Sequence, residues 1–244
     1  MAHDRPRATY VLVHSPIVGP DTWHLVAEEL ATRAHRVLVP ELTDDGHSPL
    51  WRQHVTAVVG HVAEELSAGA RLVVAAHSGA GQLLGHIGAE LRDRDYRPVA
   101  YLHVDAGVST GGASRLEQLR AEAPAFADEL ESLFDRGERF PVWSDELLTA
   151  LVPDPHRRRM LVAGIRRQPL DYWAEPIPPD PPGDDTPHGV LLLSEGYAAT
   201  EAVARREGWP VHDLATGNHF HLLVGPAAVA DALSSVEQEL TAAG

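Results

Sequence analysis

The stretch that decides the architecture is Leu72-Val73-Val74-Ala75-Ala76-His77-Ser78-Gly79-Ala80-Gly81. Its first half is a continuous apolar run, the pattern of a strand buried on both faces. Its second half is a run of small residues around one serine hydroxyl, after which Leu83, Leu84, Ile87 and Leu91 recur at helical spacing. Strand, tight turn and helix in that order form the unit of a parallel sheet covered by helices. The same unit occurs upstream. Tyr10 to Val13 is an apolar run, and the helix after it carries Trp23, Val26 and Leu30 on one face, with Asp21 or Thr22 as the expected N-cap. Val37-Leu38-Val39 is the next strand, stopped by Pro40. A polar loop from Thr43 to His47 then leads to an amphipathic helix with Trp51, Val55, Val58, Val59, Val62 and Leu66 on its apolar face. Val99 to Val104 is a fourth strand.

The rhythm breaks after Asp105. Leu116 and Leu119 predict one helix, Phe126, Leu130, Leu133 and Phe134 a second, and Leu147, Leu148 and Leu151 a third, with no convincing strand among them. Pro176-Ile177-Pro178-Pro179-Asp180-Pro181-Pro182-Gly183 can be neither helix nor central strand. Strands resume at Val190 to Leu193 and Val211 to Ala215, with a helix from Ala198 to Arg206 between them and a last helix lined by Val229, Leu233, Val236 and Leu240. Residues 1–107 and 188–244 therefore read as one α/β core. Residues 108–187 read as an inserted helical cap with a Pro-rich return linker.

Composition narrows the partners. The formal net charge is −15, whereas nucleic acid and anionic membranes reward clustered Lys and Arg, so neither is expected as a partner. No cysteine is present, which removes disulfides and thiolate chemistry. The stretch Met1 to Thr9 is polar and unlike a secretory signal, and no apolar run is long enough for a bilayer, so a soluble cytoplasmic protein is expected. The fifteen histidines are scattered without ligand spacing, so no metal and no cofactor are expected. Arg157-Arg158-Arg159 and Arg166-Arg167 read as a solvated face of the cap, and Phe140, Trp143, Tyr172 and Trp173 as its packing, one of them lining the pocket.

The turn Ala76-His77-Ser78-Gly79-Ala80 resembles the G-x-S-x-G nucleophile elbow of the α/β-hydrolase superfamily, with Ala in place of both outer glycines. Leu12-Val13-His14-Ser15-Pro16, followed by Trp23, resembles the L-V-H-G-x…W opening of small esterases and hydroxynitrile lyases. Val104-Asp105-Ala106 and Leu193-Ser194-Glu195-Gly196 are similar to later strand ends of that family. The resemblance implies an α/β-hydrolase fold, trimmed to a mostly parallel sheet of about six strands. It also implies Ser78 as nucleophile and His219, in the loop after the last strand, as its base, with His221 turned toward cap or core. The acid is Asp105 or Glu195. Asp105 is favoured because it keeps the family's chain order at a strand end where some lipase-like members carry the acid, and its alternative role is to fix a loop by bonding backbone amides. Asp213 reads as a strand-surface residue. The oxyanion would be held by Gly79 N–H together with groups of Ser15, Ile17 and His14, because Pro16, where the family usually supplies an N–H, has none to give. The activity implied is serine-dependent hydrolysis of an ester, thioester or lactone of a small, largely apolar molecule. A non-hydrolytic lyase, dehydratase or cyclase is the alternative, favoured by Pro16 and Gly196, and a ligand-binding relative without chemistry is the third. The partners expected are a small-molecule substrate and, at most, a second copy of the chain as a homodimer.

Overall fold

The computed structural model describes residues 7–242, so most of the polar stretch Met1 to Thr9 lies outside the described residues. Six strands form one parallel sheet: β1 (Thr9–Val13), β2 (Val37–Leu38), β3 (Arg71–Ser78), β4 (Arg97–Ala106), β5 (His188–Leu192) and β6 (Val211–Asp213), in the order β2-β1-β3-β4-β5-β6. The chain starts at β1, steps outward to β2, then crosses back to place β3 on the other side of β1. That reversal opens a crevice outside the carboxyl ends of β1 and β3, where doubly wound sheets bind their ligands.

The strand period of two sorts side chains onto the two faces. Tyr10 and Leu12 pack with Trp23, Val26 and Leu30 of α1 (Asp21–Thr32), while Val11 and Val13 pack with Val55, Val58 and Val59 of α2 (Leu50–Glu65) and with Ile87 of α3 (Leu84–Asp93). Each of these residues is fully buried, and burying one such side chain stabilises the fold by about 1.5–3 kcal/mol. The expected cap of α1 is displaced by one residue or more: Pro20 is the cap and Asp21 is already helical.

Between β4 and β5 lie α4 (Arg115–Glu122), α5 (Pro124–Asp135), α6 (Pro155–Ala163) and α7 (Leu170–Ala174). The third helix expected here, around Leu147 to Leu151, is only a run of turns, because Pro153 ends it before a second turn closes. The helix forms one step later, where Asp154 accepts from His156 N and Arg157 N and Pro155 occupies the first turn. Arg159 and Arg167 are exposed, as the reading of these arginines as solvated expects, but the other three are engaged. Arg158 is buried and pairs with Asp145 at 2.9 Å, Arg157 donates to Leu223 O at 2.7 Å, and Arg166 donates to Leu42 O at 2.8 Å.

Leu130, Phe134, Phe140, Leu148, Leu161 and Tyr172 pack against Ile17, Val18, Phe220 and Leu223 at the carboxyl rim of the sheet, so the helical segment lies over the crevice. After β5 come α8 (Ala198–Glu207), then β6, α9 (His221–Val224) and α10 (Pro226–Ala242), whose Val229 and Leu233 complete the first face. Among the described residues, no helix is long and apolar enough to cross a membrane.

Candidate active site

Ser78 ends β3 with φ 58°, a left-handed conformation that a residue with a side chain adopts only when its surroundings enforce it. Two neighbours enforce it. The β3–β4 register slips between His77 and Ser78, and the chain then doubles back so closely that a Cβ on Gly81 would lie 2.2 Å from Gly107 O and 2.8 Å from Ala106 Cβ. Ala76 and Ala80 are fully buried, which explains why the turn tolerates nothing large. The serine hydroxyl is thereby held at the rim, 8 % exposed.

Asp105 sits at the end of the neighbouring strand, also left-handed at φ 42° and fully buried. Its Oδ1 accepts from Leu193 N and Ser194 N, both at 2.9 Å, and its Oδ2 from Ser194 Oγ at 2.6 Å and His219 Nδ1 at 2.7 Å. Burial alone would raise this carboxyl's pKa. The donors, His219 foremost, outweigh it and hold the pKa below the usual carboxylate value. Asp105 therefore does both things the sequence left open: it fixes a loop and it binds the imidazole. Glu195 is exposed in a short turn after β5, and Asp213 is exposed on β6, where it accepts from Ala215 N.

His219 projects from the loop after β6, which Asn218 anchors by donating from its backbone to Leu193 O and from its side chain to Leu151 O. The His219 ring is sandwiched between His77, stacked at 4.4 Å, and Tyr197 at 5.6 Å. His77 Nε2 donates to the His219 carbonyl at 3.1 Å. Burial, and then the neighbouring His219, push the His77 pKa down, so it is neutral. His221 turns away, lying where a Cβ on Gly225 would be.

The direct hydrogen bond expected between Ser78 and His219 is not formed among the described residues. Ser78 Oγ instead accepts from the Tyr197 hydroxyl at 3.1 Å. Tyr197 thus touches both groups, its hydroxyl on the serine and its ring over the imidazole. No local pattern in the sequence marks Tyr197 for this place; it depends on how β5 ends beside β3 and β4.

Of the residues expected around an oxyanion, Gly79 and Ile17 have backbone N–H groups with no protein acceptor among the described residues. A Cβ on Gly79 would lie 3.9 Å from Ser15 Oγ, 4.0 Å from Pro16 Cδ and 3.5 Å from the Tyr172 hydroxyl, so these groups converge above the turn. His14 does not belong with them. It is fully buried, Nδ1 bonds Ser15 O at 2.9 Å, and Nε2 accepts from Leu42 N at 3.1 Å. Burial lowers its pKa to about 4, so it is a neutral cross-link between β1 and the loop after β2 and has no nitrogen left for substrate. A cavity of about 260 Å³ opens beside the turn, lined by Gly81, Gly85, His103, Asp180, His188 and Trp209, but Ser78 does not line it.

No protein-family model matches the chain, and no curated sequence matches it. Solved structures do. An extracellular α/β-hydrolase from a Paenibacillus species, described as sharing structural and functional homology with tobacco salicylic acid binding protein 2, superposes with a TM-score of 0.75 at 16 % identity, covering 94 % of this chain and 99 % of that one. The chain has the α/β-hydrolase fold. Two more structures agree with this α/β-hydrolase architecture. Polyneuridine aldehyde esterase matches at TM-score 0.67 and 14 % identity, over 94 % and 99 % of the two chains. Tomato methylketone synthase I complexed with 2-tridecanone matches at 0.66 and 13 %, over 97 % and 100 %. Among the described residues of this α/β-hydrolase-fold chain, no group of three His, Asp or Glu side chains is arranged to hold a metal ion.

Proposed function

We propose that this protein is a serine-dependent hydrolase of an ester, thioester or lactone bond in a small, largely apolar molecule. The observation that carries the reading is the Asp105–His219 hydrogen bond of 2.7 Å at the same rim as a left-handed Ser78, with Tyr197 in contact with both serine and imidazole. Ser78 Oγ attacks the carbonyl carbon while His219 Nε2 takes its proton. Asp105 fixes the tautomer with Nε2 bare and stabilises the imidazolium as it forms. His77 and Tyr197 clamp the ring on its two faces, so it loses little entropy when it acts. The apolar ceiling of Val18, Phe220, Leu223 and Tyr172 supports an apolar substrate. So does the likeness to an esterase and to a structure holding a long-chain ketone. A fluorophosphonate probe is expected to label Ser78, and Ser78→Ala to abolish hydrolysis of short p-nitrophenyl esters.

Two observations favour a second reading. Pro16 supplies no N–H, and Ser78 is bonded to Tyr197 rather than to His219, an arrangement that suits a lyase, dehydratase or cyclase in which His219 moves a substrate proton without acylation of serine. Failure of the probe to label Ser78 at any pH, with His219→Ala still inactive, would replace the hydrolase by this alternative.

A further inference from the structure

We propose that the Tyr172 hydroxyl, brought by α7 from the helical segment, is the oxyanion donor that replaces the N–H Pro16 lacks; this rests on the serine-hydrolase reading above. A hole with Gly79 N–H alone would forfeit one of its donors, and removal of a single donor from such a site lowers the rate about 10²–10³-fold. Ile17 N–H also lacks a protein acceptor, but the Tyr172 hydroxyl is the group that the geometry sets nearest the Gly79 Cβ position. The Tyr172 oxygen is 3.5 Å from the Cβ position of Gly79, closer than Ser15 Oγ or Pro16 Cδ. The residue is 1 % exposed and its hydroxyl donates to no protein acceptor among the described residues, yet that oxygen is not one of the fully buried polar atoms left without a partner. A phenol hydroxyl with a free proton beside the Gly79 turn can donate to an oxygen placed there. Tyr197 cannot serve, since its hydroxyl is given to Ser78.

The surroundings of Tyr172 fit a donor and not a base. The Arg115 guanidinium lies over the ring, 4.1 Å from its centre, donates to the Tyr172 main-chain carbonyl at 3.3 Å and is itself buried. A cation at that place draws electron density from the phenol and strengthens it as a donor. Burial raises the phenol's pKa, with Arg115 opposing, so the group stays protonated. Glu175, 3.6 Å from Arg115, accepts from Leu50 N and Trp51 N at 2.8 Å each and ties the end of α7 to the start of α2. Arg115 and Glu175 are positioning residues and do not themselves reach the substrate.

In the step so served, Ser78 Oγ bonds to the carbonyl carbon, the π pair moves onto the carbonyl oxygen, and the serine proton goes to His219 Nε2. The oxygen's negative charge is received by Gly79 N–H and Tyr172 O–H, and Tyr172 keeps its proton. Collapse re-forms the π bond, and the leaving alkoxide takes the proton back from His219. Water then repeats the sequence to free the acid. Because one donor belongs to the segment above the sheet, the hole is complete only when that segment is seated.

The experiment is Tyr172→Phe beside Ser78→Ala on a short p-nitrophenyl ester, with fluorophosphonate labelling of both preparations. The expected result is kcat lowered about 100-fold with KM within about threefold, and affinity for an alkyl boronate, which forms a tetrahedral adduct, lowered in the same proportion. Unchanged kcat in Tyr172→Phe, with Ser78 labelled and Ser78→Ala dead, overturns this inference and leaves the hydrolase standing. No labelling and no dependence on Ser78 overturns the hydrolase and takes this inference with it. Should Tyr172→Phe not fold, a ring-fluorinated tyrosine at 172 keeps the shape and is more acidic. The alkaline limb of its rate profile must then move to lower pH, and an unmoved limb counts against the assignment.

Discussion

Ser78 and Asp105 both hold left-handed backbone, a cost of about 1–3 kcal/mol each, and each is kept there by contacts that also define its chemistry. For Asp105 those contacts are four hydrogen bonds shared between the β5 end and His219. Asp105→Asn keeps the size but gives the imidazole a donor where it needs an acceptor. The expected outcome is kcat on a p-nitrophenyl ester lowered about 10³–10⁴-fold. Glu195→Gln, which touches neither His219 nor Asp105, stays within about twofold of the parent; a crippled Glu195→Gln beside a harmless Asp105→Asn would reverse the assignment. Chain order alone could not choose between these two carboxylates, because the choice depends on which strand end faces the last loop. Gly81 is a second residue whose role is spatial. Gly81→Ala would set a Cβ 2.2 Å from a backbone carbonyl, which has no side-chain freedom to yield. A loss of about 3 kcal/mol in urea unfolding is expected, against little change for Gly60→Ala, whose Cβ meets nothing within 4 Å.

At the scale of elements, the strands were legible wherever burial on both faces made the sequence continuously apolar, as in β1, β3 and β5. β6 is shorter than its apolar run suggests, since only Val211 to Asp213 pair with the neighbouring strand. The helical segment was legible where an apolar stripe marks a helix, as in α5 with Leu130, Leu133 and Phe134, and not where the start is set by a cap, as Asp154 and Pro155 set α6. Tyr197 was invisible as a site residue because only long-range packing brings it to Ser78, Tyr172 was legible only as one of four aromatics of which one lines the pocket, and His14 looked like a site residue because it precedes Ser15 and Pro16. Glu175 shows how distant contacts decide an element. α2 starts at Leu50 behind Pro49, which offers no side-chain cap, and Glu175 supplies one from the far end of the segment while pairing with buried Arg115. Glu175→Ala removes a cap and leaves a buried guanidinium alone, so a loss of about 3–5 kcal/mol is expected in chemical denaturation. Limited proteolysis should then cut first within residues 108–187. Cutting that starts in the core instead would show that the link does not hold the segment down.

At the scale of the whole molecule, four of the histidines, His14, His77, His103 and His188, are held neutral by burial, and the fold is expected to be acid-labile. Burial lowers the pKa of His14 and His188 to about 4 and that of His103 to about 3, and His77 is depressed likewise. His103 and His188 share a 3.1 Å hydrogen bond under the stacked indole of Trp209, where a second proton has no acceptor to go to. A histidine depressed on folding contributes stability that is fully present above its unfolded pKa of 6.5 and is lost as pH falls through its folded value. Between about pH 6.5 and 4 the unfolded chain takes up these protons and the native chain does not. Each such imidazole then removes about 1.4 kcal/mol per pH unit, and four together remove about 5. That slope is comparable with the total stability of a domain, about 5–15 kcal/mol, so cooperative unfolding is expected inside this window. Asp105 acts in the same direction but only below the ordinary Asp value of 3.8, so it does not contribute there. Urea midpoints measured from pH 7.5 down to 4.5 should fall steeply and continuously, and His14→Gln should flatten the slope by about a quarter. A stability that stays level across this range would mean that these imidazoles are protonated in the native protein. The neutral cross-links drawn from His14 to Leu42 and from His103 to His188 would then have to be redrawn.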